Sequence, residues 1–219
     1  MHKTNVLGDA VAFLFVVSII SYLSFFSSSF TTLTSQHPYL MGFVKFGLLA
    51  TFGRLLAFRL VKTKRWEVNT LLLPQALLWG LTGIWITAAF SMFGLGTTGL
   101  MSASLWPQTS GVALALSKSL WINLLGGYGF FMMFVHEISE RFVCSRLSGQ
   151  LVSPAQLIEQ LARENWFVPI FITVFVWWVP AHTITFLLPR TWQILFAASL
   201  SIVLGLIKAL IARSAPQQK

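Results

Sequence analysis

Six long apolar stretches run through this chain, and they constrain its fold more than any other feature. A helix that crosses a bilayer needs about 20 predominantly apolar residues, and six segments meet this requirement. They are Ala10–Phe30, Tyr39–Val61, Leu71–Phe93, Gly111–Val135, Phe167–Leu188 and Trp192–Ala212. These segments occupy most of the 219 residues. We therefore predict an all-α, polytopic helix bundle of six transmembrane helices, forming a single integral membrane domain over residues 1–219.

The composition excludes a water-soluble globular protein. Hydrophobic residues make up 56% of the chain and charged residues only 10%, whereas soluble domains carry about 25% charged residues. The single cysteine, Cys144, excludes an intramolecular disulfide and a thiolate metal cluster. The short loops leave no room for a soluble catalytic domain, so the expected main partner is the lipid bilayer.

The basic residues predict how the chain is oriented. There are 15 Lys and Arg against 6 Asp and Glu, and most of the basic residues outside the spans lie in alternate loops and at the two termini. These residues are Lys3, Lys62, Lys64, Arg65, Arg141, Arg146, Arg163, Arg213 and Lys219. The opposite loops Ser28–Pro38 and Gly94–Ser110 carry none. The positive-inside rule then predicts both termini inside, and the basic excess needs no nucleic-acid partner.

Three local patterns refine this prediction. The first span could be a secretory signal peptide, but its length and the absence of an A-x-A site favour a retained helix. Ser153 and Pro154 are typical of a helix N-cap and first turn, and they predict a short amphipathic helix before the fifth span. The brief Pro189-Arg190 connection predicts an antiparallel hairpin between the fifth and sixth spans.

Among the cations inside the predicted spans are Lys45, Arg54 and Lys118. A cation at mid-membrane costs at least about 2.5–3.5 kcal/mol on insertion scales. Arg54 could reach Glu137 or Asp9, whereas the two lysines have no acidic neighbour in the sequence. The lysines either snorkel outward or bond backbone carbonyls, or they line a water-filled, positively charged vestibule.

Polar residues within the later spans complete the candidate site. The candidate pore or cavity lining is Lys45, Arg54, Lys118, Asn123, His136, His182 and Thr185. Pro180 predicts a break in the fifth span that exposes backbone to a cavity, or a kink alone. His136 and Glu137 are adjacent and so do not face each other on a helix. We assign no catalytic residue, metal site or cofactor, and we do not expect an enzyme.

The order of several short motifs carries a family resemblance. His37-Pro38 opens the second span and Gly53 follows at a matching distance. A later helix carries Lys118 and Asn123, followed by Gly126-Gly127. In these features the chain resembles a distant member of the Mpv-seventeen family, which includes the twenty-two-kilodalton peroxisomal membrane protein. The resemblance covers about residues 37–192 and leaves the first span as an addition.

The C-terminal signature of that family, W-P-x-x-Q-x-x-N-F, is similar to the segment that begins at Trp178. Anchored there, the Gln falls on His182, the Asn on Thr185 and the Phe on Phe186, and the proline is displaced by one residue. The family also has an Asp where this chain has Arg54, which reverses a charge. The resemblance implies a compact multi-helix membrane protein. Members of that family are proposed to be channels for small solutes.

These observations leave three functions open. The first is a channel or permeation pathway for small polar or anionic solutes. The second is a non-transporting membrane scaffold or partner-binding subunit, and the third is a substrate-capture subunit of a larger transporter. A homo-oligomer is compatible with each of them. We expect a multi-pass protein of the bacterial inner membrane, with a mitochondrial or peroxisomal membrane as the alternative.

Overall fold

The computed structural model describes residues 2–62 and 65–214, and its regular structure within these ranges is helical. The helices are α1 (His2–Phe25), α2 (Ser27–Gln36), α3 (Pro38–Ala57), α4 (Leu72–Ser102), α5 (Gly111–Leu120), α6 (Tyr128–Leu147), α7 (Pro154–Arg163), α8 (Phe167–Thr173), α9 (Val179–Leu187) and α10 (Arg190–Ser214). Short π-helical turns extend or join some of them, at Phe58–Lys62 after α3, Trp121–Leu125 after α5, and Val174–Trp178 between α8 and α9.

Five of the described helices are long and apolar enough to cross a bilayer. Their apolar segments are Asn5–Phe25, Pro38–Leu60, Leu72–Ser102, Phe167–Leu187 and Arg190–Ile207. Each has a counterpart among the six predicted spans. Apolar helices of this length require a lipid environment, so the chain is an integral membrane protein built as an all-α bundle.

The predicted fourth span, Gly111–Val135, is not one continuous helix. Its apolar first part, Gly111–Leu125, ends at a pair of glycines, and Gly127 takes a left-handed conformation with φ of 65°. α6 then begins at Tyr128. A left-handed residue cannot continue a right-handed helix, and glycine adopts it without a steric penalty. The structure thus replaces one predicted span with two shorter helices.

Two segments predicted as loops are largely helical. α2 occupies most of Ser28–Pro38, and α4 continues through the Gly- and Thr-rich stretch to Ser102. Hydroxyl groups in both segments donate to carbonyls of their own helix, as Thr31 does to Ser28 and Thr98 to Leu95. These polar side chains thereby satisfy their hydrogen bonds inside a helix, although their composition is typical of turns.

The core lies where α3 packs between α4 and α10. Its buried residues are Phe46, Leu49, Ile86, Ala89, Phe90, Ile122, Ile194, Ala197 and Ala198. The crossing of α3 and α4 is close because Gly42 and Gly83 face each other: a Cβ on Gly42 would lie 2.8 Å from the Gly83 carbonyl oxygen. Small residues at such crossings are typical of membrane helices. α5 packs against α9, and the predicted hairpin of α9 and α10 is confirmed.

One end of the bundle carries helix α7 and the ion pairs that Arg141 forms with Glu137 and Glu164. We call it the basic end. The predicted cap of α7 is confirmed, since Ser153 and Gln156 form a reciprocal capping box. Arg141 bridges Glu137 on its own helix and Glu164 beyond α7, with N–O distances of 2.7 Å to each. Hydrogen bonds from Arg141 lower the pKa of Glu164, and those to Glu164 and Glu137 raise the pKa of Arg141.

Candidate solute-binding cavities

Lys45 is sealed inside the protein. Its side chain is 4% exposed, and its Nζ donates to Thr34 Oγ1 at 2.9 Å and to the Thr191 carbonyl at 3.4 Å. The ammonium also lies 4.4 Å from the centre of the Phe30 ring, a cation–π contact. The lysine therefore ties α2, α3 and α10 together, and protein atoms bind its charge.

A cavity of about 500 Å³ lies among α3, α4, α6, α9 and α10. Each of its lining residues is buried or half-buried. The lining is Phe46, Ala50, Arg54, Ala57, Phe58, Trp79, Ile86, Phe90, Asn123, Tyr128, Gly129, Met132, Met133, His136, Glu137, Glu140, Trp178, His182, Ala197, Ser201 and Gly205. This volume and mostly apolar lining are typical of a small-molecule site. We call it the inner cavity.

A buried hydrogen-bond network closes the deep end of the inner cavity. Asn123 donates to the Ser119 carbonyl at 2.9 Å, and Ser119 Oγ donates to the Val179 carbonyl at 2.7 Å. His182 Nδ1 lies 3.1 Å from Asn123 Oδ1, and it donates because a carbonyl oxygen only accepts. The network joins α5 and its π-helical turn to α9, and it holds the His182 ring in place.

The basic end of the inner cavity carries Arg54, His136, Glu137 and Glu140. Each acidic group there faces a base other than Arg54: Glu137 pairs with Arg141, and Glu140 lies 3.7 Å from His136. The His136 ring also packs on Trp79 with ring centres 3.9 Å apart. The sequence-based pairing of Arg54 with Glu137 is therefore wrong.

The other predicted partner of Arg54 is also engaged elsewhere. Asp9 accepts from Arg59 at 2.7 Å and from Trp66 Nε1 at 2.9 Å, so it fastens α1 to the end of α3. Arg54 Nη1 is buried and has no hydrogen-bond partner among the described residues. Its guanidinium carbon lies 5.0 Å from the centre of the Phe58 ring. Arg54 thus presents an unused donor within the inner cavity.

A second cavity, of about 350 Å³, lies at the opposite end of the bundle. We call it the outer cavity. It is lined by Thr34, Ser35, Pro38, Thr87, Phe90, Ser91, Gly94, Leu95, Lys118, Phe186, Arg190, Thr191, Gln193 and Ile194. Lys118 and Arg190 are its charged lining residues, and both are basic. Exposed residues such as Ser35 and Pro38 connect it with the surface.

Phe90 is the one described residue that the linings of the two cavities share. Its ring stacks on Phe186 with centres 4.9 Å apart and meets His182 edge-on at 5.0 Å. We call these three residues the aromatic partition. Sequence reasoning missed Phe90 and Phe186 as site residues, because an aromatic side chain in an apolar helix resembles any other core residue.

The predicted site residues therefore separate into three groups. Arg54, Asn123, His136 and His182 line the inner cavity, and Lys118 lines the outer cavity. Lys45 and Thr185 line neither; Thr185 is buried and donates to the Ala181 carbonyl of its own helix. The predicted break at Pro180 corresponds to the π-helical turn Val174–Trp178, which directly precedes α9. This turn brings Trp178 to the cavity wall.

Comparisons with known proteins add no further constraint on this site. No family model matches the chain, and neither a curated protein nor a solved structure matches it. The resemblance to the Mpv-seventeen family therefore stays a prediction.

Proposed function

We propose that this protein is a gated permeation pathway for small anionic or polar solutes. The observation that carries the proposal is that two cavities, one toward each end of the bundle, share Phe90 as a lining residue. An aromatic constriction between two cavities can act as a gate, because a narrow apolar passage excludes water until it widens.

The fixed charges favour anions in the outer cavity, whereas the inner cavity carries charges of both signs. Lys118 and Arg190 line the outer cavity, and Arg54 lines the inner cavity. The carboxylate of Glu137 pairs with Arg141 at 2.7 Å, which also pairs with Glu164, and the carboxylate of Glu140 lies 3.7 Å from His136. A low-dielectric wall with fixed positive charge attracts anions and repels cations. Lys45 lines neither cavity, and its Nζ donates to Thr34 Oγ1 and to the Thr191 carbonyl.

The gate is tested by removing its central ring. In proteoliposomes loaded with chloride, we expect Phe90→Ala to release chloride at least about tenfold faster than wild type, which needs a barrier lower by about 1.4 kcal/mol. The matched control is Phe175→Ala, since that phenylalanine is 57% exposed and lies outside both cavities. We expect the control to release chloride at the wild-type rate.

The selectivity is tested in the same opened variant. Adding Lys118→Gln to Phe90→Ala should lower the permeability of chloride relative to potassium, measured from the reversal potential in planar bilayers. A folded Phe90→Ala protein that releases chloride no faster than wild type would overturn the gated pathway. An unchanged chloride preference after Lys118→Gln would overturn the assignment of the outer cavity as the anion entrance.

A substrate-capture subunit is the second candidate, and one observation favours it. The aromatic partition is packed, with Phe90 only 4% exposed, so the inner cavity is a binding chamber rather than an open channel. Such a subunit retains a small molecule and passes it to a partner. Native mass spectrometry that finds a retained small molecule, together with chloride-tight Phe90→Ala vesicles, would favour this candidate.

A further inference from the structure

Three donor groups of the inner cavity lack partners. Arg54 Nη1, Tyr128 Oη and Trp178 Nε1 are buried, and none has a hydrogen-bond partner among the described residues. All three residues line the inner cavity. A buried donor without a partner costs free energy, and it points to an acceptor supplied from outside the chain.

Two side-chain acceptors of the same cavity are engaged, and a third group, the Glu140 carboxylate, lies 3.7 Å from His136 Nε2. Glu137 Oε1 accepts from Arg141 at 2.7 Å, and Asn123 Oδ1 accepts from His182 at 3.1 Å. The Ser201 hydroxyl donates to the Ala198 carbonyl in its own helix. The cavity therefore offers unused donors, one of them cationic, while these acceptors are already bound. A ligand rich in acceptor oxygens fits this balance better than a cation or an amine does.

Apolar and aromatic side chains form the remaining wall. Phe46, Ile86 and Met132 face the same space as the rings of Trp79 and Phe90. Aromatic rings and methionine sulfur pack favourably against flat apolar groups. A small inorganic anion would leave this surface uncovered, whereas an anion with a planar apolar body would cover it.

We infer that the inner cavity binds an organic monoanion with a planar apolar body, of the aromatic carboxylate or sulfonate class. The acidic group contacts Arg54, and the body lies against Trp79, Ile86 and Met132. Tyr128 and Trp178 supply the further donors. This inference names the substrate class of the proposed pathway and in that sense rests on the proposed function, but binding itself needs no flux.

The test compares naphthalene-1-sulfonate with the equally shaped, uncharged naphthalene-1-sulfonamide. Equilibrium dialysis against the full chain in phosphatidylcholine nanodiscs measures both affinities, with empty nanodiscs as the blank. We expect the sulfonate to bind more tightly than the sulfonamide. Arg54→Gln should weaken sulfonate binding by about tenfold or more, as expected for a lost charge-assisted hydrogen bond, and weaken sulfonamide binding less.

Two further variants test the Tyr128 hydroxyl and supply a control for Arg54→Gln. Tyr128→Phe removes only the unpartnered hydroxyl and should weaken sulfonate binding without altering the ring. Arg163→Gln is the matched control, because Arg163 is exposed, pairs with Glu159 on α7 and lies outside the cavity. We expect wild-type sulfonate binding in that control.

Several outcomes would overturn the inference. They are equal binding of the two compounds, no binding of either, or sulfonate binding unaffected by Arg54→Gln. Loss of sulfonate binding in phosphatidylglycerol nanodiscs would instead assign the anion to a lipid headgroup and also overturn it. Binding as expected, combined with chloride-tight Phe90→Ala vesicles, would uphold the site and reject only the permeation pathway.

Discussion

At the scale of single residues, Asn123 forms polar contacts that join two helices and should stabilise the fold. It accepts from His182 in a part-buried contact and donates to Ser119 in a buried one. Asn123→Ala removes the partner of His182 Nδ1 inside the bundle. We expect a loss of about 1–2 kcal/mol in the free energy of unfolding, in the range found for interhelical hydrogen bonds in membranes, measured by sodium dodecyl sulfate titration in mixed micelles.

A matched control separates this network from the removal of any polar group. Ser199 donates only to the Leu195 carbonyl of its own helix, so Ser199→Ala loses no contact between helices. We expect its unfolding free energy to stay within about 0.5 kcal/mol of wild type. Equal losses in the two variants would contradict a special role for Asn123.

The intramembrane cations illustrate what could be predicted at this scale. The sequence shows that these cations lie inside apolar segments. That position correctly predicts Arg54 and Lys118 as residues that line a cavity. The partners of Lys45 could not be predicted, because Thr34 lies in a helix whose composition resembles a loop and Thr191 contributes a backbone carbonyl. Contacts of that kind depend on how helices pack, which hydropathy does not encode.

At the scale of helices, the crossing of α3 and α4 depends on the absence of side chains. A Cβ on Gly83 would clash with the Gly42 carbonyl and lie 2.7 Å from the Phe46 Cβ. Gly83→Ala should therefore destabilise the protein by about 1–3 kcal/mol, the usual range for overpacking. The same detergent titration measures the change.

The control for this prediction lies on the same helix. Gly96 has no atom within 4 Å of a built Cβ, so Gly96→Ala meets open space. Alanine favours a helix over glycine by roughly 0.5–1 kcal/mol, and we expect Gly96→Ala to be neutral or stabilising. A Gly83→Ala protein as stable as Gly96→Ala would mean that the helices do not cross as closely as described.

The presence of the apolar helices is predicted better than their ends or their continuity. Five apolar segments have counterparts among the described helices, because about 20 apolar residues in a row have few other stable structures in a bilayer. The division after Leu125 was missed, although Gly126-Gly127 stood in the sequence. A hydropathy window averages over two glycines, whereas the backbone turns sharply at one of them. The π-helical turns leave no comparable signal in composition.

At the scale of the whole molecule, the two ends of the bundle differ in chemistry. The basic end carries α7 and its ion pairs, and the other end carries the outer cavity with Lys118 and Arg190. The proposed direction of solute entry depends on which end faces the cytoplasm. The positive-inside rule predicts that the basic end does.

The single native cysteine makes this orientation testable in intact cells. In a Cys144→Ser background, Leu105→Cys introduces a thiol in the exposed connection after α4, and Gln150→Cys introduces one in the exposed connection before α7. We expect a membrane-impermeant maleimide to label position 105 in intact bacteria and position 150 only after permeabilisation. The reverse pattern would place the basic end outside and turn the inner cavity toward the medium. Labelling of both positions in intact cells would contradict the single crossing, Gly111–Val135, that the sequence predicts between them.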